Sequence, residues 1–370
     1  MKKIGIVSYN IYCNFTNYGS ALQSWAMNQV VARLGYKPIM VDYCPEVLKD
    51  KNPLDPFKNM WDKDEESRRM CALTMPAIQE NYKKFDTFYH QRFNRSKKAY
   101  DCKNFNEIVN DESLSGFLCG SDTIFCVDEF GIDDGYYANY DSMKNHSISY
   151  AASFGDSHFT TETYQLLDDR LKNFKALGIR EKGMIPYIRE RVSVPVDKVL
   201  DPTLLLSEQD YNTISADESC VPNEPYLLLY ARRYNPQMEA YAIRLAKENN
   251  WKIVEISLRA TNAEKGHIMR YDAGVEEFLA LTKSAQYVIT NSFHSMIFAV
   301  QFRRPFIIFS REQCDTKIDE LITLLGLGNH KFVTGIELFP PQINYEEVFE
   351  RLKPSREASL LFLGHSLELL

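Results

Sequence analysis

The chain has 370 residues, of which 45% are hydrophobic and 25% are charged, and its formal net charge is −7. A chain of this length is too long for one ordinary core and suits two domains. The negative charge excludes a broad basic surface for nucleic acid or anionic membranes, and it leaves room for a local basic site that binds an anionic substrate.

The eight cysteines are scattered along the chain and form no C-x-x-C pair. We therefore expect neither a disulfide framework nor a metal site. The amino-terminal MKKIGIVSYN has too short an apolar run for a signal peptide. No stretch approaches the ~18–20 apolar residues that a membrane span needs. These features predict a cytoplasmic protein without a membrane span.

The first half of the chain alternates strands with helices. Lys3–Asn10 predicts a strand, SALQSWAMNQVVARLG has the apolar spacing of a helix that stops at Gly35, and KPIMVDY predicts a second strand. This order implies a parallel pair with a right-handed crossover. Further strands are expected at GFLCGSD, HSISYAAS and KALGIRE. The polar and aromatic residues from about 46 to 112 predict a helical insertion.

A second alternation follows the polar stretch SEQDYNTISADESCVPNEP. Strands are expected at PYLLLYARR, WKIVEIS, QYVITNSF and PFIIFS, and helices at PQMEAYAIRLAKENN, GVEEFLALTKSA, HSMIFAVQFRR and KIDELITLLGLG. The tail predicts one or two helices. We therefore predict an α/β fold with two Rossmann-like domains facing across a cleft, at residues 1–206 and 207–370.

Open α/β sheets bind ligands beyond the carboxyl ends of their strands, so the strand-to-helix turns are the candidate sites. The first turn is Asn17-Tyr18-Gly19-Ser20. Gly19 permits close backbone approach, and Ser20 is the predicted N-cap of a helix whose start could face an anion. An ordinary capped turn explains this pattern equally well. No G-x-G-x-x-G or Walker motif supports a dinucleotide or P-loop site.

Two further turns carry charged side chains. Ser121 and Asp122 follow the apolar FLC, where the carboxylate could bind sugar hydroxyls or act as a general base. A helix N-cap is the alternative for Asp122. Arg180 follows a short strand and suits bidentate recognition of a carboxylate or phosphate. A surface salt bridge is the alternative for Arg180.

The fourth turn is TNSFHS, with Asn291, Ser292, His294 and Ser295 after the strand QYVI. The next helix is expected to start near His294, so its backbone amides offer an anion site. A single histidine is more often structural. Its position at a strand-to-helix turn, among small polar residues, favours a functional role here.

Taken together and in this order, the motifs resemble those of the polysaccharide pyruvyl transferase family. They are NYGSALQ, GSDTIF, ISYAASFG at Ile148–Gly155, IREK, LDPTLLL at Leu200–Leu206 and TNSFHS. Each motif is weak alone, but six in register extend over nearly the whole chain, from residue 4 to about 328.

The resemblance implies a GT-B-like fold, phosphoenolpyruvate as the donor without any other cofactor, and a saccharide or lipid-linked oligosaccharide as the acceptor. The product would be a cyclic pyruvate ketal. By motif matching, His294 and Asp122 resemble catalytic residues. The first domain would hold the acceptor and the second the donor. The acceptor residues would be Asn17, Tyr18, Gly19, Ser121 and Asp122, and the donor residues Arg180, Asn291, Ser292, Ser295, Arg232 and Arg233.

The chain departs from the family pattern at two positions. Characterised members often have arginine before the histidine, whereas this chain has Phe293, as a large bacterial subgroup also does. Donor binding is then one cation short, and Arg232, Arg233 or Arg259 could supply it. Ser295 replaces the usual glycine after the histidine.

Two other functions remain open at this stage. A GT-B nucleotide-sugar glycosyltransferase would use acidic residues in the second domain, and Glu276–Phe278 supplies two of them. A solvated helix face explains the same residues. A non-catalytic saccharide-binding relative has the same fold. The sequence leaves the oligomeric state open, including a homo-oligomer.

Overall fold

The computed structural model of the chain describes residues 1–9, 16–55, 65, 69, 72–257, 259–311, 314–335 and 342–370. The chain divides into two compact units. The first unit contains Met1–Asp50, Tyr89–Leu206 and Glu350–Leu370, and the second contains Lys51–Phe88 and Ser207–Phe349. Within the described ranges, no helix combines the length and the apolar composition needed to cross a membrane.

The first unit is built on a parallel sheet with the strand order β2-β1-β3-β4-β5-β6. Its strands are β1 (Lys3–Val7), β2 (Lys37–Met40), β3 (Gly116–Cys119), β4 (Ser147–Ala152), β5 (Phe174–Ile179) and β6 (Val196–Lys198). Every residue of β3 and β4 is buried. Continuous burial is typical of parallel strands that are covered on both faces, which explains their unbroken apolar runs.

The helices of the first half of the chain are α1 (Tyr18–Arg33), α2 (Met75–Arg92), α3 (Ile108–Glu112), α4 (Val127–Phe130), α5 (Thr161–Leu171) and α6 (Ile185–Arg189). Asn17 is the N-cap of α1, because its side chain accepts hydrogen bonds from the backbone N–H groups of Gly19 and Ser20. The prediction that Ser20 caps this helix is therefore wrong. Ser20 lies in the first turn, where its hydroxyl is available to another partner.

The second unit is built on a parallel sheet with the order β11-β10-β7-β8-β9. Its strands are β7 (Tyr226–Tyr230), β8 (Lys252–Ile256), β9 (Ile268–Met269), β10 (Tyr287–Thr290) and β11 (Phe306–Ile308). The helices of this half of the chain are α7 (Glu208–Asn212), α8 (Pro236–Asn249), α9 (Val275–Ser284), α10 (Phe293–Gln301), α11 (Asp315–Leu325) and α12 (Tyr345–Glu368). Every residue of α10 is buried, which fits its apolar sequence.

The predicted alternation of strands and helices is confirmed in both halves of the chain. The sequence missed β6 and β9, which have only three and two residues and so give no periodic signal. The tail forms a single helix, α12, which contains Pro354. The loop IYCNFTNYG, expected after β1, lies partly outside the described residues.

The units follow the predicted boundary between residues 206 and 207 but differ from it in two segments. Residues 51–88 belong to the second unit, where Lys84 Nζ lies 2.8 Å from a carboxylate oxygen of Glu277. Residues 350–370 belong to the first unit, where Arg356 Nε donates to the carbonyl of Leu204 at 2.7 Å. Contacts between residues far apart in the chain decide both assignments, and hydrophobic periodicity does not report such contacts.

Each sheet has a point where the direction of strand order reverses. In the first sheet this point lies between β1 and β3, and in the second it lies between β7 and β10. Neighbouring crossovers leave in opposite directions there, so a crevice opens beyond the carboxyl ends of the two strands. The turns around Asn17 and Asp122 follow β1 and β3, and the turns around Arg232 and His294 follow β7 and β10.

Candidate functional site

Asp122 lies at the centre of the polar cluster in the first unit. It is 5% exposed, and its backbone is left-handed with φ of 76°. Ser20 Oγ donates to Oδ2 at 2.9 Å, and the N–H of Thr123 donates to Oδ1 at 3.0 Å. The alternative of a helix N-cap is wrong, because the helix that follows starts at Val127 with Cys126 as its cap. The turn instead aligns this carboxylate with the first turn of α1.

Arg180 is buried beneath this cluster. Its Nη2 lies 2.8 Å from Asp201 Oδ2, and its Nη1 lies 3.7 Å from Asp122 Oδ1. The same Nη2 donates to Ser121 Oγ. The alternative of a surface salt bridge is therefore wrong, since the Arg180 side chain is only 4% exposed. Arg180 joins the turn after β3 to the LDPT segment.

Gln23 connects the ends of β1 and β3. Its Oε1 accepts from the N–H of Ser121 at 3.2 Å, and its Nε2 donates to Ser8 Oγ at 2.8 Å. Ser8 follows β1, and Ser121 follows β3. Glycine is required at position 120, immediately before Ser121. Its φ is +145°, and a Cβ atom there would meet the carbonyl oxygen of Tyr150 at 2.0 Å. Buried hydrogen bonds thus fix the turn after β3, in which the sequence predicted acceptor-binding residues.

Asn291 holds two strand ends together in the second unit. Its Oδ1 accepts from the N–H of Arg232 at 2.8 Å, and its Nδ2 donates to the carbonyl of Arg233 at 2.7 Å. Asn291 is 1% exposed. Its amide therefore fixes the turn after β7 against the end of β10, across the reversal point of the sheet.

His294 lies in the first turn of α10. Ser292 is the N-cap, and its side chain accepts from the N–H of Ser295 at 3.4 Å. His294 is 8% exposed and Ser295 is fully buried. Within the described residues, Ser295 Oγ has no hydrogen-bond partner. The helix start thus combines an imidazole, a buried hydroxyl and backbone N–H groups that favour an anion.

Three cationic side chains lie near residues that flank this helix start, two of them near Tyr230 and one near Phe293. Burial raises the pKa of Tyr230, and the nearby guanidinium groups of Arg232 and Arg311 oppose that rise. Lys317 Nζ lies 5.5 Å from the centroid of the Phe293 ring. Lys317 is only 5% exposed and forms no ion pair with any residue that the structure describes. A cation on so buried a side chain favours an anionic group close to it.

Glu277, one of the two acidic residues considered for a nucleotide site, has other partners. Glu277 Oε2 accepts from the N–H of Gly274 at 2.7 Å at the start of α9. Its carboxylate also pairs with Lys84 at 2.8 Å. These contacts agree with a capping role. Among the residues with described positions, no group of three His, Cys, Asp or Glu side chains could hold a metal ion.

A family model described as polysaccharide pyruvyl transferase matches residues 17–313. The chain belongs to this family. A search of curated proteins found no match. The matched range includes the turns around Asn17 and Asp122 and the helix start at His294, so both clusters belong to the part of the chain that the family shares.

Solved structures share the fold at low sequence identity. A putative UDP-N-acetylglucosamine 2-epimerase from Listeria monocytogenes is 12% identical with a TM-score of 0.53, and the match covers 97% of this chain and 91% of that one. UDP-GlcNAc 2-epimerase from Methanocaldococcus jannaschii is 11% identical with a TM-score of 0.50, covering 95% and 92%. Together with the two parallel sheets, these likenesses confirm the predicted GT-B-like α/β class with two Rossmann-like units.

The structure groups the predicted site residues into two sets. Asn17, Gly19, Ser121, Asp122 and Arg180 gather at the reversal point of the first sheet. Tyr18 opens α1 beside them and is buried. The other set lies at the reversal point of the second sheet and contains Asn291, Ser292, His294, Ser295 and Arg232. Arg180 is thus in a different unit from the other predicted donor residues. The roles of these residues stay predictions.

Sequence reasoning missed four members of these clusters. Gln23 and Asp201 stand inside the motifs NYGSALQ and LDPTLLL but were given no role. Arg311 and Lys317 follow the strand PFIIFS, which is a fifth strand-to-helix turn at the same edge of the sheet. The rule that ligands bind beyond the carboxyl ends of strands would have identified both cations.

Proposed function

We propose that the chain transfers a pyruvyl group from phosphoenolpyruvate to a saccharide, forming a pyruvate ketal and releasing phosphate. The observation that carries this proposal is the helix start at His294, where the buried Ser295 hydroxyl has no described partner and Lys317 Nζ lies 5.5 Å from the centroid of the Phe293 ring, in a member of the pyruvyl transferase family. Phosphoenolpyruvate carries a carboxylate and a phosphate, so its site needs several cations and N–H donors. We place this reaction in the cytoplasm and expect no further cofactor.

The donor site that we propose lies at the start of α10. Arg232 and Arg311 would bind the two acidic groups of the donor, because guanidinium groups match carboxylate and phosphate oxygens in pairs. Ser295 Oγ, buried and without a described partner, would donate to one of those oxygens. Ser292 caps the helix, and Asn291 positions the backbone of Arg232 and Arg233. We therefore assign positioning roles to Asn291 and Ser292.

Lys317 would supply the cation that is missing at Phe293. Its ammonium group lies over the Phe293 ring, beside the position where characterised relatives often have arginine. The aromatic face favours a cation within about 6 Å of its centroid, which helps to hold Lys317 there. Arg259 has a different partner, because its guanidinium carbon lies 3.6 Å from the centroid of Tyr234. Lys317 is therefore the better candidate of the two.

The acceptor saccharide, free or lipid-linked, would bind at the polar cluster of the first unit. Asn17 caps α1, and the Ser20 hydroxyl orients Asp122. These contacts hold Asn17 and Asp122 at the reversal point of the first sheet, where the sugar hydroxyls would bind. The donor-binding role of Arg180 stays a prediction, and the ion pair with Asp201 supports a role in holding Ser121 and Asp122 in place.

The proposed reaction balances without an oxidant or a metal ion. A proton adds to the methylene carbon of the donor, and two acceptor hydroxyl oxygens form bonds to the central carbon. The bond between that carbon and the phosphate oxygen breaks. The acceptor loses two hydroxyl protons. One accounts for the proton that the methylene carbon gains as it becomes a methyl group, and the other leaves with phosphate. His294 would protonate the methylene carbon or assist the departing phosphate as a general acid.

Phosphate release from phosphoenolpyruvate tests the proposal. The full chain is incubated with phosphoenolpyruvate and a panel of synthetic or lipid-linked saccharides, and product mass is measured alongside free phosphate. We expect phosphate release that depends on the saccharide, with one ketal formed per phosphate. Release without a saccharide product would contradict a transferase.

A nucleotide-sugar glycosyltransferase is the competing function. Thermal stabilisation by phosphoenolpyruvate and by nucleotide sugars separates the two. Stabilisation by a nucleotide sugar alone would overturn the proposal, and stabilisation by neither would favour a saccharide-binding relative. The contacts of Glu277 with Gly274 and Lys84 weigh against the acidic nucleotide site.

A further inference from the structure

Glu129 is an exposed carboxylate that two buried hydroxyl groups hold in place. It lies on the short helix α4. Tyr9 Oη donates to its Oε1 at 3.0 Å, and Thr123 Oγ1 donates to its Oε2 at 3.0 Å. Tyr9 and Thr123 are only 4% and 8% exposed. A solvent-exposed glutamate would otherwise sample several rotamers, so these two contacts fix its direction.

The two hydroxyl donors come from the two strands that flank the reversal point of the first sheet. Tyr9 follows β1, and Thr123 follows β3 directly after Asp122. Glu129 therefore lies across the crevice where an open α/β sheet binds its ligand. No sequence motif singled out Glu129, because its position near the crevice depends on contacts with residues that are distant in the chain.

Glu129 and Asp122 differ in what surrounds their carboxylates. Asp122 is buried, accepts hydrogen bonds from Ser20 and Thr123, and has the Arg180 guanidinium 3.7 Å away. These contacts hold the Asp122 carboxylate in place within the turn. Glu129 is exposed to solvent, so a bound sugar can reach it directly. The geometry favours Asp122 as an organising group.

We propose that Glu129 is the carboxylate that binds an acceptor hydroxyl and accepts its proton. This inference rests on the proposed transferase function and names the residue that acts on the acceptor. As the acceptor oxygen forms its bond to the central carbon of the donor, the O–H bond breaks and the proton passes to a carboxylate oxygen of Glu129. Solvent or the departing phosphate then takes the proton, which restores the carboxylate.

A structural role for Glu129 makes a different prediction. The residue would then only tie α4 to the ends of β1 and β3, and its loss would lower stability without a specific effect on the acceptor. The chain offers a matched control in Asp128, which precedes Glu129 on the same helix. Asp128 Oδ2 accepts from the His158 backbone N–H at 3.1 Å and lies 2.9 Å from its Nδ1.

The test compares Glu129→Gln with Asp128→Asn in the full chain. Gln keeps the shape and one carbonyl acceptor, but it cannot accept a proton. We expect Glu129→Gln to lower kcat/KM for the saccharide by roughly 10²–10⁴-fold. The thermal shift given by phosphoenolpyruvate should be unchanged, and the acidic limb of the pH–rate profile should disappear. Asp128→Asn should turn over like the wild type.

Each other outcome has a defined meaning. If Glu129→Gln matches Asp128→Asn in kcat/KM and in its pH profile, Glu129 is structural and this inference is overturned. A lower melting temperature together with lost phosphoenolpyruvate binding would also overturn it, because the defect would be general. If the wild type gives no saccharide-dependent phosphate release, the transferase proposal fails and this inference fails with it.

Discussion

Arg180 and Asp201 form an ion pair of 2.8 Å in which the two side chains are 4% and 0% exposed. Asp201 also accepts from the N–H and the hydroxyl of Thr203, at 2.9 and 2.6 Å. The pair therefore joins the segment after β5 to the LDPT segment before the second half of the chain. Since Arg180 also contacts Ser121 and Asp122, the ion pair helps to hold the turn after β3 in place.

Asp201→Ala should destabilise the first unit strongly. Removing one partner of a buried ion pair leaves the other charge buried and uncompensated, which costs about 3–5 kcal/mol. Urea unfolding of the variant and the wild type measures this difference. The control is Asp197→Asn, which breaks an exposed pair with Arg189 of similar length, 2.9 Å. That change should cost about 0–1 kcal/mol.

Equal losses for the two variants would contradict the structural role of the buried pair. Arg180→Lys separates this role from the donor contact predicted from the sequence. Lysine keeps the charge but loses the planar fork, so we expect lower stability. Unchanged stability together with lost affinity for phosphoenolpyruvate would instead support direct donor binding.

Asp133 should make stability depend on pH. Burial raises the pKa of its carboxyl group to about 6, although the N–H groups of Tyr136 and Gly135 and the Tyr43 hydroxyl favour the charged form. The pKa of Asp133 is higher in the folded than in the unfolded chain. The contribution of Asp133 to the free energy of unfolding is therefore full below about pH 4 and is lost as pH rises through 6. A shift of about two pH units corresponds to about 3 kcal/mol.

Comparison with Asp133→Asn isolates this effect. Asparagine keeps an oxygen for the two N–H donors and cannot titrate. The free energy of unfolding of the wild type, measured relative to this variant, should fall between about pH 4 and pH 7. Parallel pH curves for the two proteins would show that Asp133 does not titrate in this range.

The sequence predicted the strands well because most of them are continuous apolar runs. β3, β4 and β7 are buried along their whole length, and parallel strands covered on both faces have this pattern. The positions of the four turns at the carboxyl ends of strands followed from the same alternation. Short strands such as β9 were missed, since two residues carry no period.

The partners of the site residues could not be predicted in the same way. Asp201 lies 21 positions from Arg180 in the chain, and Glu129 lies 120 positions from Tyr9. Such pairs form only once the strand order is fixed, and local patterns do not determine strand order. The same reason explains why residues 350–370 join the first unit. Motif matching indicated the candidate turns, and the fold shows what each of their side chains contacts.

Lys317→Gln should weaken donor binding more than folding. Lys317 is 5% exposed, its Nζ lies 5.5 Å from the centroid of the Phe293 ring, and it forms no ion pair with any described residue, so we expect its charge to bind an anionic group of the donor. A charge-assisted contact is worth about 1.5–3 kcal/mol, which corresponds to a ~10–150-fold rise in Kd for phosphoenolpyruvate. Calorimetry measures this change directly.

The control for Lys317 is Lys331→Gln, which removes a lysine that pairs with Asp315 and Asp319. Its donor affinity should equal that of the wild type. Adding Phe293→Arg to Lys317→Gln places a cation at the position that relatives use, and we expect partial recovery of affinity. Unchanged affinity in Lys317→Gln itself would remove Lys317 from the donor site.

His294→Ala should nearly abolish turnover and leave the fold intact. Ser292 caps α10, and this contact does not involve the imidazole, so the helix start tolerates alanine. General acid catalysis contributes ~10²–10⁴-fold, and the loss should be at least that large if His294 transfers the proton.

His294→Gln separates proton transfer from binding, because glutamine can donate a hydrogen bond to phosphate but cannot transfer a proton. A glutamine variant as inactive as alanine that still binds phosphoenolpyruvate supports proton transfer. High activity in the glutamine variant assigns His294 an electrostatic role, and normal turnover in both variants removes it from the catalytic step.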